Sequence, residues 1–285
     1  MKNKSIIFST VTRSPGKNFI KSINQFLKIA QKFKKYKIII VESDSSNSPE
    51  KIFAKFKDSN IIIKRLGKLT SSIANGHLRT ERIAHSRNHY LNLILNSEEL
   101  SSYDYLIAFD SDGVSEKMDY DSIREALSIN QQWDAQFPNQ ILAYYDIYAL
   151  RCNNWVDYDC IMKKNNLIKE SNNPKKAFKD CIASKMIKID KKSKLIKVQS
   201  AFGGLGLYKI KSIGNAKYKG SINNIPICEH VTFHKEMNKS NRLLFINPAF
   251  INSLGLNEHV LIGKILTLLP TPIFNFLYNF RKKIT

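Results

Sequence analysis

Tyr103-Asp104-Tyr105-Leu106-Ile107-Ala108-Phe109-Asp110-Ser111-Asp112-Gly113 is an apolar run that stops at two carboxylates one residue apart. The run is short, β-prone and bounded by turn formers, as expected of a strand covered on both faces of a parallel sheet. Ligands of such sheets bind beyond the carboxyl ends of the strands, which puts Asp110 and Asp112 where a site is expected. Their hard oxygens suit Mn²⁺ or Mg²⁺, and an ion held there would neutralise a nucleoside diphosphate. An Asp-Ser-Asp-Gly turn that merely caps a strand has the same composition, so the motif alone leaves both readings open.

The flanking sequence fits a sheet of this kind. Lys4 to Val11 reads as a first strand, with Ser14-Pro15 opening a helix whose apolar face is Phe19, Ile20, Ile23, Phe26, Leu27, Ala30 and Phe33. Lys37 to Glu42 reads as a second strand, Ser48-Pro49 opens a second helix, and Asn60 to Lys64 is a third strand. A helix over 79–95, with Ile83, Ala84, Tyr90, Leu91, Ile94 and Leu95 inward, leads to the acidic strand. Strands alternating with helices predict an α/β fold, Rossmann-like, with a mostly parallel sheet flanked by helices. Beyond Gly113 the pattern loosens. Ile141 to Asp146 reads as a strand, Trp155 to Lys164 and Pro174 to Lys188 as helices, and the Lys- and Asn-rich 163–173 as a mobile loop. Leu195 to Gln199 and Leu207-Tyr208-Lys209 read as strands around a Gly203-Gly204 turn. The expected organisation is one domain over 1–253, divided into a nucleotide-binding half (1–113) and an acceptor half (114–253), with a separate tail over 254–285.

That tail is apolar from Val260 to Phe280, but Lys264, Pro270 and Pro272 interrupt it and Arg281-Lys282-Lys283 follows. A spanning helix needs about 20 unbroken apolar residues, so amphipathic helical segments on an anionic membrane surface are the expectation. Packing on the core or on an identical subunit is the alternative.

The chain has 285 residues, ample for a sizeable core, and its 45 Lys and Arg against 24 Asp and Glu give a formal charge of +21. That excess predicts an anionic partner. A nucleic-acid-binding protein would interleave basic residues with exposed aromatics in one stretch, whereas these lysines are scattered over helix faces, so no nucleic-acid partner is expected. Cys152, Cys160, Cys181 and Cys228 make no CxxC pair and the Met1 end reads as no signal peptide, which together predict reduced thiols in the cytoplasm.

Four further segments bear on the acidic pair. Thr10, Thr12 and Arg13 follow the first strand, where they could meet a base or ribose; an ordinary turn is the plain alternative. Glu42 and Asp44 end the second strand, where a carboxylate could accept from a base edge, or form an Asx turn. Arg87 could reach a phosphate, or be a surface helical Arg. His230 and His234 lie four apart, beside Glu229, on one helical face, or a loop turns one of them inward.

With these in place, Arg82-Ile83-Ala84-His85-Ser86-Arg87-Asn88, Phe109-Asp110-Ser111-Asp112, Tyr145-Asp146-Ile147-Tyr148-Ala149-Leu150-Arg151, Phe202-Gly203-Gly204-Leu205-Gly206-Leu207-Tyr208, Cys228-Glu229-His230-Val231-Thr232-Phe233-His234 and Ile246-Asn247-Pro248 resemble, in order and spacing over roughly 5–250, GT-A glycosyltransferases akin to the fungal capsule mannosyltransferases. The resemblance implies a GT-A fold and metal-dependent transfer of a sugar from a UDP- or GDP-linked donor to a glycan or lipid-linked acceptor. It implies Asp110 and Asp112 as the DxD metal pair, with Ser111 between them and His234 completing the metal shell. Gly203 and Gly204 would let backbone approach the sugar, though a lone Gly pair is also a common bulge or turn. For an inverting reaction Glu229 or Asp146 would take the acceptor proton, Glu229 being favoured because Arg151 is a ready partner for Asp146. A cytoplasmic enzyme held peripherally on a membrane is the resulting expectation. A sugar-nucleotide nucleotidyltransferase would share the sheet and the acidic pair, but Thr10-Val11-Thr12-Arg13-Ser14-Pro15-Gly16 lacks a Gly-rich loop after the first strand.

Overall fold

The computed structural model describes residues 4–46, 48–69, 78–255 and 265–284, the last six of these as backbone. In chain order the elements are β1 (Ser5–Thr12), α1 (Lys17–Ala30), β2 (Lys35–Glu42), α2 (Glu50–Phe53), β3 (Ile61–Arg65), α3 (Arg79–Leu95), α4 (Glu98–Ser101), β4 (Tyr105–Phe109), α5 (Tyr120–Leu127), β5 (Ala135–Gln140), α6 (Cys160–Ser171), α7 (Pro174–Cys181), β6 (Ile196–Lys197), β7 (Leu205–Lys209), α8 (Ile210–Ile213), β8 (Ser221–Ile222), β9 (Ile225–Pro226), α9 (Glu229–Asn238), β10 (Leu244–Ser253) and α10 (Thr271–Ile284).

Eight strands form one mixed sheet in the order β3-β2-β1-β4-β7-β5-β10-β6. The β1/β2, β2/β3, β1/β4 and β5/β10 pairs are parallel, whereas β7 runs antiparallel to both β4 and β5, and β6 antiparallel to β10. Alternation along the strands feeds two cores. Ile6, Phe8, Ile38, Ile40, Ile107 and Phe109 meet Phe19, Ile23 and Phe26 of α1, while Ile7, Ile39, Val41, Leu106 and Ala108 face Ala84, Leu91 and Ile94 of α3. The result is an α/β fold with helices on both faces of the sheet. After β1 the chain moves outward to β2 and β3, then returns to place β4 on the other side of β1. The crevice between the carboxyl ends of β1 and β4 is therefore a topological switch point, where open α/β sheets bind ligands.

The expected strand at Ile141 to Asp146 is displaced: β5 ends at Gln140, and 141–146 is irregular chain. Prolines hid the true strand. Pro138 follows the two β5 residues paired with β7, and the β5/β10 register shifts between Ile246 and Ile251, where Pro248 lies. Missing N–H groups are tolerated at such irregularities. The strand is also polar. Buried Asn247 donates to Gln136 Oε1 (2.8 Å), Gln140 donates to Asn252 Oδ1 (3.0 Å), and Asn252 donates to Gly203 O (2.8 Å) and Ser115 Oγ (3.0 Å). This amide ladder fixes the Gly203-Gly204 turn from beneath.

The expected mobile loop at 163–173 is mostly helix. Asp159 caps α6 by accepting from the Ile161 and Met162 amides, and Asn172, left-handed at φ 47, ends it, so the lysines that suggested a loop ride on α6. The helix expected from Trp155 begins only at Cys160, and that expected over 174–188 stops at Cys181. Of the expected tail, 256–264 lie outside the described residues, while α10 packs through Phe274, 1% exposed, against Phe178 of α7.

Candidate functional site

The acidic pair lies at the carboxyl end of β4, beside the switch point. The Asp110 amide donates to Gly204 O (3.0 Å), so the Gly-Gly turn abuts it directly. Gly204 has φ +85, and a Cβ there would meet Val114 Cγ2 at 2.6 Å and Tyr145 Oη at 2.9 Å. Only glycine lets the turn approach so closely. Asp112 accepts from the Val114 amide (3.2 Å), and its pKa is pushed up to about 6 by the protein around it and then by Asp110. Solvent reaches Asp112, which moderates the first contribution; the repulsion between two neighbouring carboxylates remains, and a cation relieves it.

Arg87 was expected at a phosphate or on the surface; it is instead buried behind the acidic pair. Its Nη2 donates to Asp110 Oδ1 (2.9 Å) and its Nε to Glu229 Oε1 (3.0 Å), while the guanidinium lies against the rings of Phe202 (5.1 Å) and Tyr218 (5.8 Å). The placement follows from α3, where Ala84, Arg87, Leu91 and Ile94 share one buried stripe. Glu229, the first residue of α9, is therefore an ion-paired buried carboxylate. Burial raises its pKa and Arg87 works the other way.

Asp146 differs from its expectation in the opposite sense. Arg151 pairs with Asp159 (2.8 Å), not with Asp146. The Asp146 oxygens accept instead from the amides of Gly203 (2.9 Å) and Ala149 (3.2 Å). Burial raises its pKa, the two amides oppose that, and Asp110 adds to it. Asp146 thus belongs to the acidic cluster and, among the described residues, forms no ion pair of its own. Tyr145, a member the sequence reading missed, has its own pKa raised by burial and then by Asp146, Asp110 and Asp112. Its position next to Asp146 was the available signal.

His234 does not join the acidic pair. It is fully buried, Nδ1 lies 2.9 Å from Ser200 Oγ and Nε2 2.9 Å from Tyr208 Oη, and burial lowers its pKa to about 3. With both ring nitrogens engaged it has no lone pair for a metal, which corrects that expectation. His230 is stacked on Phe202 at 3.6 Å, buried and held neutral by the same cause. Together with Phe233 and Met237 these histidines form the inward stripe of α9. Among the described residues no three His, Cys, Asp or Glu side chains converge on a metal position. The chain offers two carboxylates there, which suits an ion that keeps several waters and takes phosphate oxygens as its other ligands.

The residues expected at a base or ribose are largely engaged elsewhere. Thr10 is fully buried and Ser111 nearly so. Glu42, also buried, pairs with Arg65 (3.2 Å) and accepts from the Ser45 amide. Asp44, at φ 54, accepts from the Leu69 amide (2.9 Å), and its carbonyl accepts from exposed Arg13 (3.2 Å). Thr12 ends β1 half-buried. These groups build the rim beside the switch point, and Thr12 and Arg13 are its accessible part.

No protein-family model matches the chain. No curated protein matches it in sequence. Among solved structures it is similar to the mannosyltransferase PcManGT from Pyrobaculum calidifontis in complex with GDP-Man and Mn²⁺, at 7% identity and TM-score 0.49 over 97% of this chain and 64% of that one. It is also similar to S. aureus TarS 1–349 (11% identity, TM-score 0.43, 85% of this chain and 57% of that one) and to S. aureus TarS (12%, 0.43, 85% and 35%). The chain thus spans less than two thirds of each of these structures.

Two predictions follow from the buried ion bridge and the buried histidines. Arg87→Ala strands Glu229 in the core, and removal of one partner of such a pair costs about 3–5 kcal/mol. The Asp110 side adds little, since that side chain is 37% exposed and screened. Urea unfolding should show the loss, and adding Glu229→Gln should recover part of it; an unchanged midpoint in Arg87→Ala would refute the bridge. For His234 the folded pKa lies below its unfolded value, about 6.5, so between those values the unfolded chain holds more protons. Stability is therefore present above about pH 6.5 and falls as pH drops, by about 1.4 kcal/mol per pH unit for each such histidine. His234→Gln should flatten the urea-midpoint slope between pH 6.5 and 5, and an identical slope would contradict a buried neutral ring.

Proposed function

We propose that the protein is a GT-A-type glycosyltransferase that moves a sugar from a UDP- or GDP-linked donor to a glycan or lipid-linked acceptor. The observation that carries this reading is the cluster at the switch point: two carboxylates at the end of β4, a Gly-Gly turn hydrogen-bonded to the first of them, and a further carboxylate on that turn. Its motifs are those that resemble the GT-A group, capsule-type mannosyltransferases included. In this reading residues 1–113 hold the nucleotide and 114–253 the acceptor.

Asp110 and Asp112 would hold Mn²⁺ or Mg²⁺, which when bound supplies the positive charge a departing diphosphate needs. Arg87 holds Asp110 in a fixed orientation. Gly203 and Gly204 bring backbone rather than side chains to the sugar. Thr12 and Arg13 face the nucleotide from the rim. In transfer with inversion the acceptor oxygen bonds to the anomeric carbon as the bond from that carbon to the diphosphate oxygen breaks, and the acceptor proton passes to a carboxylate. We assign that proton to Asp146 rather than Glu229. Glu229 is committed to Arg87, whereas Asp146 accepts from the Gly203 and Ala149 amides and has a pKa raised by burial, which strengthens it as a base.

Calorimetry with UDP and GDP should give binding in Mn²⁺ that weakens at least about tenfold in EDTA, because the diphosphate would otherwise meet two bare carboxylates. Asp112→Asn should lower Mn²⁺ affinity while keeping the urea midpoint. Equal nucleotide affinity in both buffers would remove the metal assignment.

Asp146→Asn should lower transfer by about 10²–10⁴-fold with donor affinity retained, and NMR of the product should show the inverted anomer. Near wild-type transfer in Asp146→Asn, with Glu229→Gln inactive yet folded, would return the role to Glu229.

A further inference from the structure

The end of the chain carries apolar surface that the core does not use. α10 buries Phe274 against Phe178 of α7 and stacks it on Tyr278 at 5.8 Å, one turn on. On its other side Ile273 and Phe276 are 49% and 70% exposed, and Leu277 next to them 37%. The helical stretch at 265–268 just before it adds Ile265 at 53% and Leu268 at 82%. Exposed residues three and four apart on a docked helix make an apolar stripe facing outward, an arrangement soluble surfaces rarely carry as a contiguous patch.

The neighbourhood of this stripe is cationic. Lys175 of α7 donates to Leu269 O (2.6 Å) and Lys164 of α6 lies over the Tyr278 ring at 5.5 Å. Across α6 and α7 the sequence has Lys163, Lys164, Lys169, Lys175, Lys176 and Lys179 against Glu170 and Asp180, and α10 itself ends in Arg281-Lys282-Lys283. No helix among the described residues is long and apolar enough to cross a membrane. An apolar stripe with a basic surround fits hydrocarbon beneath anionic headgroups, while a purely polyanionic partner would leave Leu268 and Ile273 in water.

We infer that the 265–268 stretch and α10, with Lys164 and Lys175 beside them, form a docking face for an anionic lipid surface. The face is fastened to the acceptor side of the crevice: the Tyr144 amide, two residues from Asp146, donates to Ile187 O (2.8 Å) in the segment that follows α7, and Trp155 donates to Lys185 O (2.9 Å). Docking there holds a lipid-linked acceptor near the group proposed to take its proton.

The test is co-sedimentation of the full chain with vesicles of phosphatidylglycerol and phosphatidylcholine, and with phosphatidylcholine alone. Binding should need the anionic lipid and weaken as salt is raised. Leu268→Asp/Ile273→Asp should bind the anionic vesicles at least about tenfold less, with the same urea midpoint and the same Mn²⁺ affinity as the parent chain. Vesicle binding needs no donor, so it succeeds or fails independently of transfer. Equal binding by the double variant, or no binding by the parent chain, would overturn the inference. So would a concentration-dependent dimer in sedimentation velocity that the same substitutions abolish, since a second copy would then occupy the face.

Discussion

One buried guanidinium ties the site together. Arg87 stands on α3, behind the regular parallel strands, and reaches Asp110 at the end of β4 and Glu229 at the start of α9. Burial disfavours its charge, and the negative groups around it more than offset that. Asn88, the next residue, exchanges two hydrogen bonds of 2.8 Å with the backbone of Tyr218, so consecutive residues of one helix fasten the segment that carries α9. A buried pair of this kind adds little net stability compared with a well-packed apolar pair, yet it fixes geometry, because every other arrangement leaves a charge stranded. The local charge does not close. Asp110 and Glu229 flank Arg87, and Asp112 and Asp146, each with its pKa raised in part by Asp110, add further carboxylates beside that pair.

The two sides of the sheet are held by different means. The β3-β2-β1-β4 side is an aliphatic sandwich in which alternate residues go to α1 or to α3. The β7-β5-β10-β6 side contains two prolines in its strands and a set of buried amides beneath the Gly203-Gly204 turn. The first side needs only the correct hydrophobic pattern. The second needs particular donors to meet particular acceptors, and it is the side that shapes the proposed acceptor pocket.

That contrast governs what could be read in advance. The acidic strand follows from its apolar run and the helix at 79–95 from its periodicity, and both are found, the strand at Tyr105–Phe109. β5 was not legible because Ala135-Gln136-Phe137-Pro138-Asn139-Gln140 has neither strand alternation nor strand composition; long-range hydrogen bonds, not local preference, make it a strand. Motif reading located Asp110, Asp112, Asp146, Gly203 and Gly204 together but misassigned partners. Side-chain chemistry points Arg87 to a phosphate or to the surface and the family resemblance points His234 to a metal, yet each occupies the apolar stripe of its helix. Periodicity outranks side-chain type in such cases, since a polar group in a core stripe brings its partner with it. Arg151 chose Asp159 for a comparable reason: Asp159 caps α6 a few residues along the same loop.

The amide ladder under the turn has a consequence for how this chain can vary. Gln136 with Asn247, and Gln140 with Asn252, Ser115 and the Gly203 carbonyl, are satisfied only as sets. Replacing one member leaves a buried polar atom orphaned, whereas replacing a whole set by apolar side chains of matching shape restores a tolerable core. Single changes are therefore barred where concerted ones are open. Lineages of this fold would drift in jumps on the amide side and smoothly on the aliphatic side, so position-by-position comparison would lose the proposed acceptor half first.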